Sequence, residues 1–357
     1  MTIPVTIAAD VVSLPSDFTL NAETIESLLS LVSTLVFDIP VQGTFHISAS
    51  YCEPEVHIPS RVDTLQLLVH GATYTRNYWS GDGAPGFGYD GDKYSWVAYA
   101  SKQGYPTLAI DRLGNGLSDH PDPLLVAQVP AQVEVSHAIV QLARTGTAPF
   151  PRAFSKVIYV GHSFGSMIGN GLNVKYPNDV DATVLTGFSE NLITSFASTF
   201  AGVGILPASI ANPAKYGDLN PCYLQTVIKA DVTKVFFYPG GYDIALTDYD
   251  WTVRGTLSCG EAVTGVISIG TASEYNHPVY VINGQYDEIF CNVLPPLTSA
   301  DCGYGSSSIL AKTKTIYPAA SVYGWSGIPD SGHCWQLHYA AQDGFNQTHI
   351  WLSSVGF

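Results

Sequence analysis

Ser163 sits in Gly161-His162-Ser163-Phe164-Gly165, a G-x-S-x-G pentapeptide. A serine hydroxyl is a poor nucleophile at neutral pH, so a base must take its proton and an acid must orient that base. Two later stretches carry such groups. Asn283-Gly284-Gln285-Tyr286-Asp287 ends in a carboxylate just past an apolar run, and Asp330-Ser331-Gly332-His333 ends in an imidazole. The chain order is Ser, Asp, His. His333 would accept the Ser163 proton during attack and return it to the leaving group, while Asp287 would hold the imidazole tautomer and offset its charge. Glu288 and Asp301 are the alternative acids. His162 lies inside the pentapeptide, and His137, His338 and His349 fall in helical stretches where surface or packing roles are expected. The oxyanion formed on attack needs two preorganised N–H donors. Phe164 supplies one, directly after the nucleophile. The second is expected from Ala72, which follows His70-Gly71, with Thr73 as its neighbour.

These groups can meet only if strands and helices bring them to one edge of a sheet. Val157–Val160 reads as a buried strand, and the small and apolar residues after Ser163 read as a helix. Further strands are expected at Phe45–Tyr51, Leu65–Val69, Pro106–Ile110, Val184–Phe188, Pro278–Ile282 and Thr315–Tyr323. Helices are expected at Trp96–Gln103, at Val129–Arg144 and after His333. This alternation predicts a mostly parallel sheet with helices on both faces. In such a sheet the loops after Val160, Ile282 and the last strand gather at the carboxyl edge.

Residues 1–20 read as irregular. From Asn21, Ile25, Leu28, Leu29, Val32, Leu35 and Val36 share a helical face, and Pro40 ends that helix. Residues 79–95 read as a Gly- and Tyr-rich surface loop. Residues 190–270 break the alternation over a span too long for a loop. They are read as an inserted, mainly helical cap rich in aromatic residues. The expected domains are thus a core of 1–189 and 271–357, whose first 44 residues form an extension with a helix, and a cap of 190–270.

Apolar residues make up 46% of the chain and charged residues 13%, which calls for a sizeable core and excludes disorder. The net charge of −15, with 15 Lys and Arg, leaves no material for a basic patch and argues against nucleic acid or anionic membrane partners. No apolar run is long enough to span a bilayer. None of the six cysteines forms a C-x-x-C pair, which argues against a zinc site. Their even number and the sequon Asn346-Gln347-Thr348 point to an oxidising compartment. Cys291–Cys302 and Cys222–Cys259 are the nearest pairs for disulfides. A secreted protein is expected, with a cytosolic one as the alternative. The first residues lack a basic and an apolar signal region, so a signal peptide is expected to be absent or removed.

Together, His70-Gly71, Asp111-Arg112-Leu113-Gly114-Asn115-Gly116-Leu117-Ser118, Gly161–Gly165, the Asp287 loop and Gly332-His333 resemble the α/β-hydrolase superfamily. Phe237-Tyr238-Pro239-Gly240-Gly241-Tyr242-Asp243 is similar to the cap of secreted fungal members. The resemblance implies the α/β-hydrolase fold, a Ser163-Asp287-His333 triad and no metal or cofactor. It does not imply one reaction, because esterases, lactonases, peptidases, hydroxynitrile lyases and cyclases share the scaffold. Members with an aspartate nucleophile are set aside by Ser163. The expected function is hydrolysis of an ester or lactone of a fairly apolar small molecule through an acyl-enzyme. The alternatives are a lyase or cyclase of secondary metabolism using the same triad, and an interfacial lipase.

Overall fold

Alternation with period two begins at the first residues. In β1 (Thr2–Val12), Ile3, Val5, Ile7, Ala9 and Val11 are buried and the residues between them are exposed. β1 runs antiparallel to β2 (Phe37–Cys52), in register from Thr2↔Ser48 to Asp10↔Pro40. Thr2–Val12, within the stretch read as irregular, is therefore a strand, and Pro40 lies inside a strand rather than ending a helix. Pro4 is tolerated because β1 is an edge strand, where a missing N–H leaves no ladder broken. The structure, a computed structural model, describes residues 1–15, 18, 35–191, 203–265, 267–292 and 300–357. The helix expected from Asn21 falls almost entirely outside the described residues.

β3 (Thr64–Val69) is followed by α1 (Trp96–Lys102), and β4 (Thr107–Ile110) by α2 (Val129–Thr145). β5 (Lys156–His162) runs into α3 (Phe164–Lys175), and β6 (Ala182–Thr186) follows. Ser95 caps α1 by accepting the Ala98 N–H at 3.0 Å, which satisfies a donor the helix cannot. Residues 79–95 form the expected surface loop between Ala84 and Lys93, but its two ends are buried. Trp79, Ser80, Asp82, Tyr94 and Ser95 are buried, and Ser80 bridges to Ser95.

The segment after β6 holds, among the described residues, both strands and helices. Its strands are β7 (Ile205–Pro207), β8 (Tyr223–Thr226) and β9 (Leu257–Ser258), which form a small antiparallel sheet. Its longer helices are α4 (Lys229–Phe236), α5 (Ile244–Val253) and α6 (Cys259–Gly265). The expectation of a mainly helical segment omitted that sheet, whose strands are too short to show a period. A disulfide joins Cys222 to Cys259, and a second joins Cys291 to Cys302. Cys52 and Cys334 are unbridged.

β10 (Val279–Gly284), β11 (Tyr323–Ile328) and α7 (Ala341–Ser354) close the chain. The last strand is not Thr315–Tyr323: Thr313–Ile316 is a 3-10 turn. β11 escapes a sequence reading because it is a half-exposed edge strand with two glycines and no continuous apolar run. The main sheet has eight strands in the order β1-β2-β4-β3-β5-β6-β10-β11. β4-β3-β5-β6-β10-β11 are parallel, while β1 and β2 are antiparallel additions. β3, β4, β6 and β10 are buried along their whole length, as strands covered by helices on both faces must be. The carboxyl ends of β3, β5, β10 and β11 thus share one edge.

Candidate active site

Ser163 joins β5 to α3 with φ 53° and ψ −115°. That conformation is unfavourable for a residue with a Cβ, at a cost of about 1–3 kcal/mol, and persists only where the surroundings impose it. The flanking glycines permit it. A Cβ on Gly161 would lie 2.6 Å from the Gly165 carbonyl oxygen, and one on Gly165 would collide with the Val69 carbonyl of β3. The Ser163 N–H donates to the Thr186 carbonyl at 2.8 Å, which ties the turn to β6.

Asp287 and His333, in the loops after β10 and β11, meet. Asp287 Oδ2 lies 3.0 Å from His333 Nδ1, and both residues are buried. The carboxylate is further held by the Asn283 side chain (3.2 Å) and by the N–H groups of Ile289 (2.9 Å) and Phe290 (3.0 Å). The alternative acids are engaged elsewhere. Asp301 is exposed and accepts from the Gln285 side chain and the Gly303 N–H, while Glu288 accepts from Asn292 and Ala300. The His333 ring centroid lies 4.8 Å from that of His162, beside Ser163. The side-chain hydrogen bond of His333 is to Asp287, and the hydrogen bonds of Ser163 are those of its backbone. Contacts between a nucleophile and its base in unliganded sites are often long and tighten only with substrate.

The Gly71 turn comes up against Ser163: a Cβ on Gly71 would lie 3.0 Å from the Ser163 Cβ. Of the two residues that follow, Thr73 has its N–H committed to the Thr256 carbonyl at 3.3 Å. Neither the Ala72 N–H nor the Phe164 N–H, the latter in the first turn of α3, donates to a described residue. Two unengaged N–H groups beside a serine are what a developing oxyanion requires.

Residues 66–343 match the Alpha/beta hydrolase family. The chain belongs to that family. No curated protein sequence matches it. Among solved structures, the α/β hydrolase is similar to a thermophilic esterase from Thermogutta terrifontis, with 14% identity, TM-score 0.52, and coverage of 88% of this chain and 96% of the other. An alpha/beta hydrolase fold protein from Chitinophaga pinensis is similar at 14% identity and TM-score 0.55, with 87% and 94% covered. A bromoperoxidase from Bacillus anthracis is similar at 16% identity and TM-score 0.51, with 87% and 96% covered. At such identities these likenesses establish the fold.

Around the α/β-hydrolase site lies a polar layer that sequence reasoning missed. His162 stacks on Tyr78 at 4.5 Å, and burial, then the charges of His333 and His70, hold it well below the usual histidine range. The Cys334 thiol, next to His333, lies 3.7 Å from His162 Nε2 and 3.3 Å from the Tyr74 hydroxyl, and burial pushes it well up. His338 lies in a bend just past a 3-10 turn rather than in a helix, and of the two expected roles, surface or packing, it has the buried one. It is buried, its Nδ1 lies 2.9 Å from the Cys334 carbonyl, and its Nε2 accepts the N–H groups of Tyr238 (2.9 Å) and Gly332 (3.1 Å). Burial lowers it to about 4. It therefore joins Tyr238, in the segment between β6 and β10, to the His333 loop. Asp82 and Asp250 form a buried carboxyl pair near Tyr74; burial raises Asp250 to about 6 and, with the charge of Asp250, pushes Asp82 well up. Asp82 hides in a stretch that reads as loop, and no local pattern marks His338. Among the described residues no group of three or more His, Cys, Asp or Glu could hold a metal ion, and no helix is long and apolar enough to cross a membrane.

Proposed function

We propose that this α/β hydrolase is a serine hydrolase that cleaves an ester or lactone of a fairly apolar small molecule. The observation that carries the reading is the 3.0 Å contact between Asp287 and His333 at the sheet edge where Ser163 stands in its strained turn. Asp287 holds Nδ1 protonated, which leaves His333 Nε2 as the base. Ser163 attacks the acyl carbon as its proton passes to His333. The Ala72 and Phe164 N–H groups stabilise the oxyanion, and His333 returns the proton to the departing alcohol. A water activated by His333 then hydrolyses the acyl-enzyme. In a lactone the leaving alcohol stays attached, so the product is a hydroxy acid.

Residues 190–270 are read as a cap over this site. Phe236 supports that reading: its ring centroid lies 5.6 Å from that of His333, and its carbonyl accepts the Cys334 N–H at 2.9 Å. Phe290 also stacks on His333, at 5.8 Å. Aromatic walls suit an apolar acyl or alkyl group and keep water from the reacting atoms. The two disulfides support a secretory compartment.

The test is a fluorophosphonate probe, followed by p-nitrophenyl esters of rising chain length and a panel of lactones. Wild type should be labelled at Ser163 and should turn over some of these substrates. Labelling that persists in Ser163→Ala sinks the assignment.

A further inference from the structure

Arg112 and Glu261 are each fully buried and form an ion pair. Arg112 belongs to the loop after β4, whereas Glu261 belongs to α6 of the inserted segment. The same guanidinium touches both sides of the proposed oxyanion hole. Its Nη2 lies 3.4 Å from the Gly71 carbonyl, one residue before Ala72. Its Cζ lies 4.7 Å from the ring centroid of Phe164, which bears the other donor. The Arg112 N–H donates to His70 Nε2 at 3.1 Å, and His70 Nδ1 lies 2.9 Å from the same Gly71 carbonyl. Arg112 Nε has no partner among the described residues, so saturating its own donors does not explain where this side chain sits.

Glu261 is held from its own side. With Ser258 it forms a reciprocal cap on α6: its N–H donates to Ser258 Oγ at 2.9 Å, and its Oε2 accepts the Ser258 N–H at 3.0 Å. Its Oε1 also accepts from the Gln132 side chain at 2.7 Å. Glu261 is thus a rigid anchor, and the position of α6 determines where it stands. A second link runs parallel to the first, because Gly255 N–H donates to the Thr73 carbonyl at 2.8 Å.

Burying two charges is costly, and well-packed apolar side chains in their place are often as stable or more so. Stability alone is therefore a weak reason for this pair. We propose that Arg112 and Glu261 are positioning residues for the oxyanion hole: the inserted segment, through them, sets where the Gly71 turn and the Phe164 ring stand. The inference rests on the serine-hydrolase reading above.

The test separates positioning from stability. Arg112→Lys keeps a positive charge for Glu261 but loses the flat group over Phe164 and the reach to Gly71. With p-nitrophenyl acetate its kcat should fall about 10- to 100-fold, less than the loss of a whole oxyanion donor, with KM within about twofold. The double variant Arg112→Met/Glu261→Met should melt close to wild type yet remain as slow as Arg112→Lys. A double variant that regains both melting temperature and kcat shows that the pair only stabilises, and overturns the inference. If the double variant does not fold, Glu261→Gln, assayed well below its melting temperature, decides by the same split: a lowered kcat at unchanged KM supports positioning, and wild-type kcat overturns it. The underlying reading fails separately. A folded wild type that neither cleaves esters nor takes the fluorophosphonate defeats the serine-hydrolase assignment and this inference with it. An active wild type with unimpaired variants defeats the positioning role alone.

Discussion

The loop that bears Asp287 and the turn that bears Ala72 stand at the same sheet edge, but they differ in the balance of local and distant contacts that hold them. The acid loop is held by its own neighbours. Asp287 is bonded by Asn283, Ile289 and Phe290, its carbonyl accepts the Cys291 N–H at 3.0 Å, and a disulfide spanning 11 residues closes the loop. The Ala72 turn is held from afar. Thr73 bonds Thr256 and Gly255, and Gly71 is reached by Arg112, which is itself paired with Glu261. A locally held loop keeps its geometry when distant parts of the chain change. A remotely held turn answers to the segment that holds it; Tyr238 also stacks on Tyr286 at 4.3 Å, so residues 190–270 touch the Asp287 loop through a ring contact and the Ala72 turn through backbone hydrogen bonds.

The largest effect is expected at His333, which Asp287 contacts directly. His333→Ala should remove nearly all turnover, on the order of 10⁶-fold as for serine-protease triads. His162 is no substitute, because its Nε2 faces the Cys334 sulfur and its charged form is disfavoured by burial. Substantial steady-state hydrolysis by His333→Ala would mean that neither loop serves the chemistry.

Next comes the acid loop. Asp287→Asn should slow hydrolysis by roughly 10⁴-fold, through a misplaced imidazole proton. Asp301→Asn, an exposed change that leaves His333 bonded, should stay within about twofold of wild type in the same kinetic assay. The reverse ranking would move the acid to Asp301 and erase the contrast between the loops.

Opening the disulfide measures how local the holding is. Cys291→Ser/Cys302→Ser should lower unfolding stability by about 2–4 kcal/mol in a denaturant titration. Native-state hydrogen exchange should rise near Asp287 and stay unchanged near Ala72. Equal rises at both would show that the loops are coupled.

The smallest effect concerns His338, where Tyr238 meets the His333 loop. Its ring is neutral in the fold, at about 4 against an ordinary value of about 6.5. With the folded value depressed, its contribution is present above about pH 6.5 and is lost as pH falls towards 4, because the unfolded chain takes up the proton first. Wild type should therefore lose more stability than His338→Gln over that range, by on the order of 1–3 kcal/mol. Part of the acid-side slope should survive in His338→Gln, since His349 is also lowered to about 4 by burial. Parallel melting curves against pH for the two proteins would remove His338 as the link.

Short-range patterns made much of this protein legible in its sequence. Val157–Val160 announces a doubly covered strand, and glycines on either side of Ser163 announce the turn, because both demands act on consecutive residues. The cysteine pairs nearest in sequence, Cys291–Cys302 and Cys222–Cys259, are bonded in the structure. The alternation of Thr2–Val12 is equally local, though the stretch reads as irregular, and its place at the sheet edge makes Pro4 harmless. The half-exposed β11 carried too weak a pattern to be placed correctly. Tertiary structure alone decided which carboxylate touches His333, which N–H groups near Ser163 stay unengaged, and that Glu261 and His338 reach the loops around the site. The physical reason is separation along the chain. A hydrophobic period records which face of a segment is buried, whereas a contact between Arg112 and Glu261 depends on strand order, register and the seating of an insertion, none of which is written in either residue's neighbours.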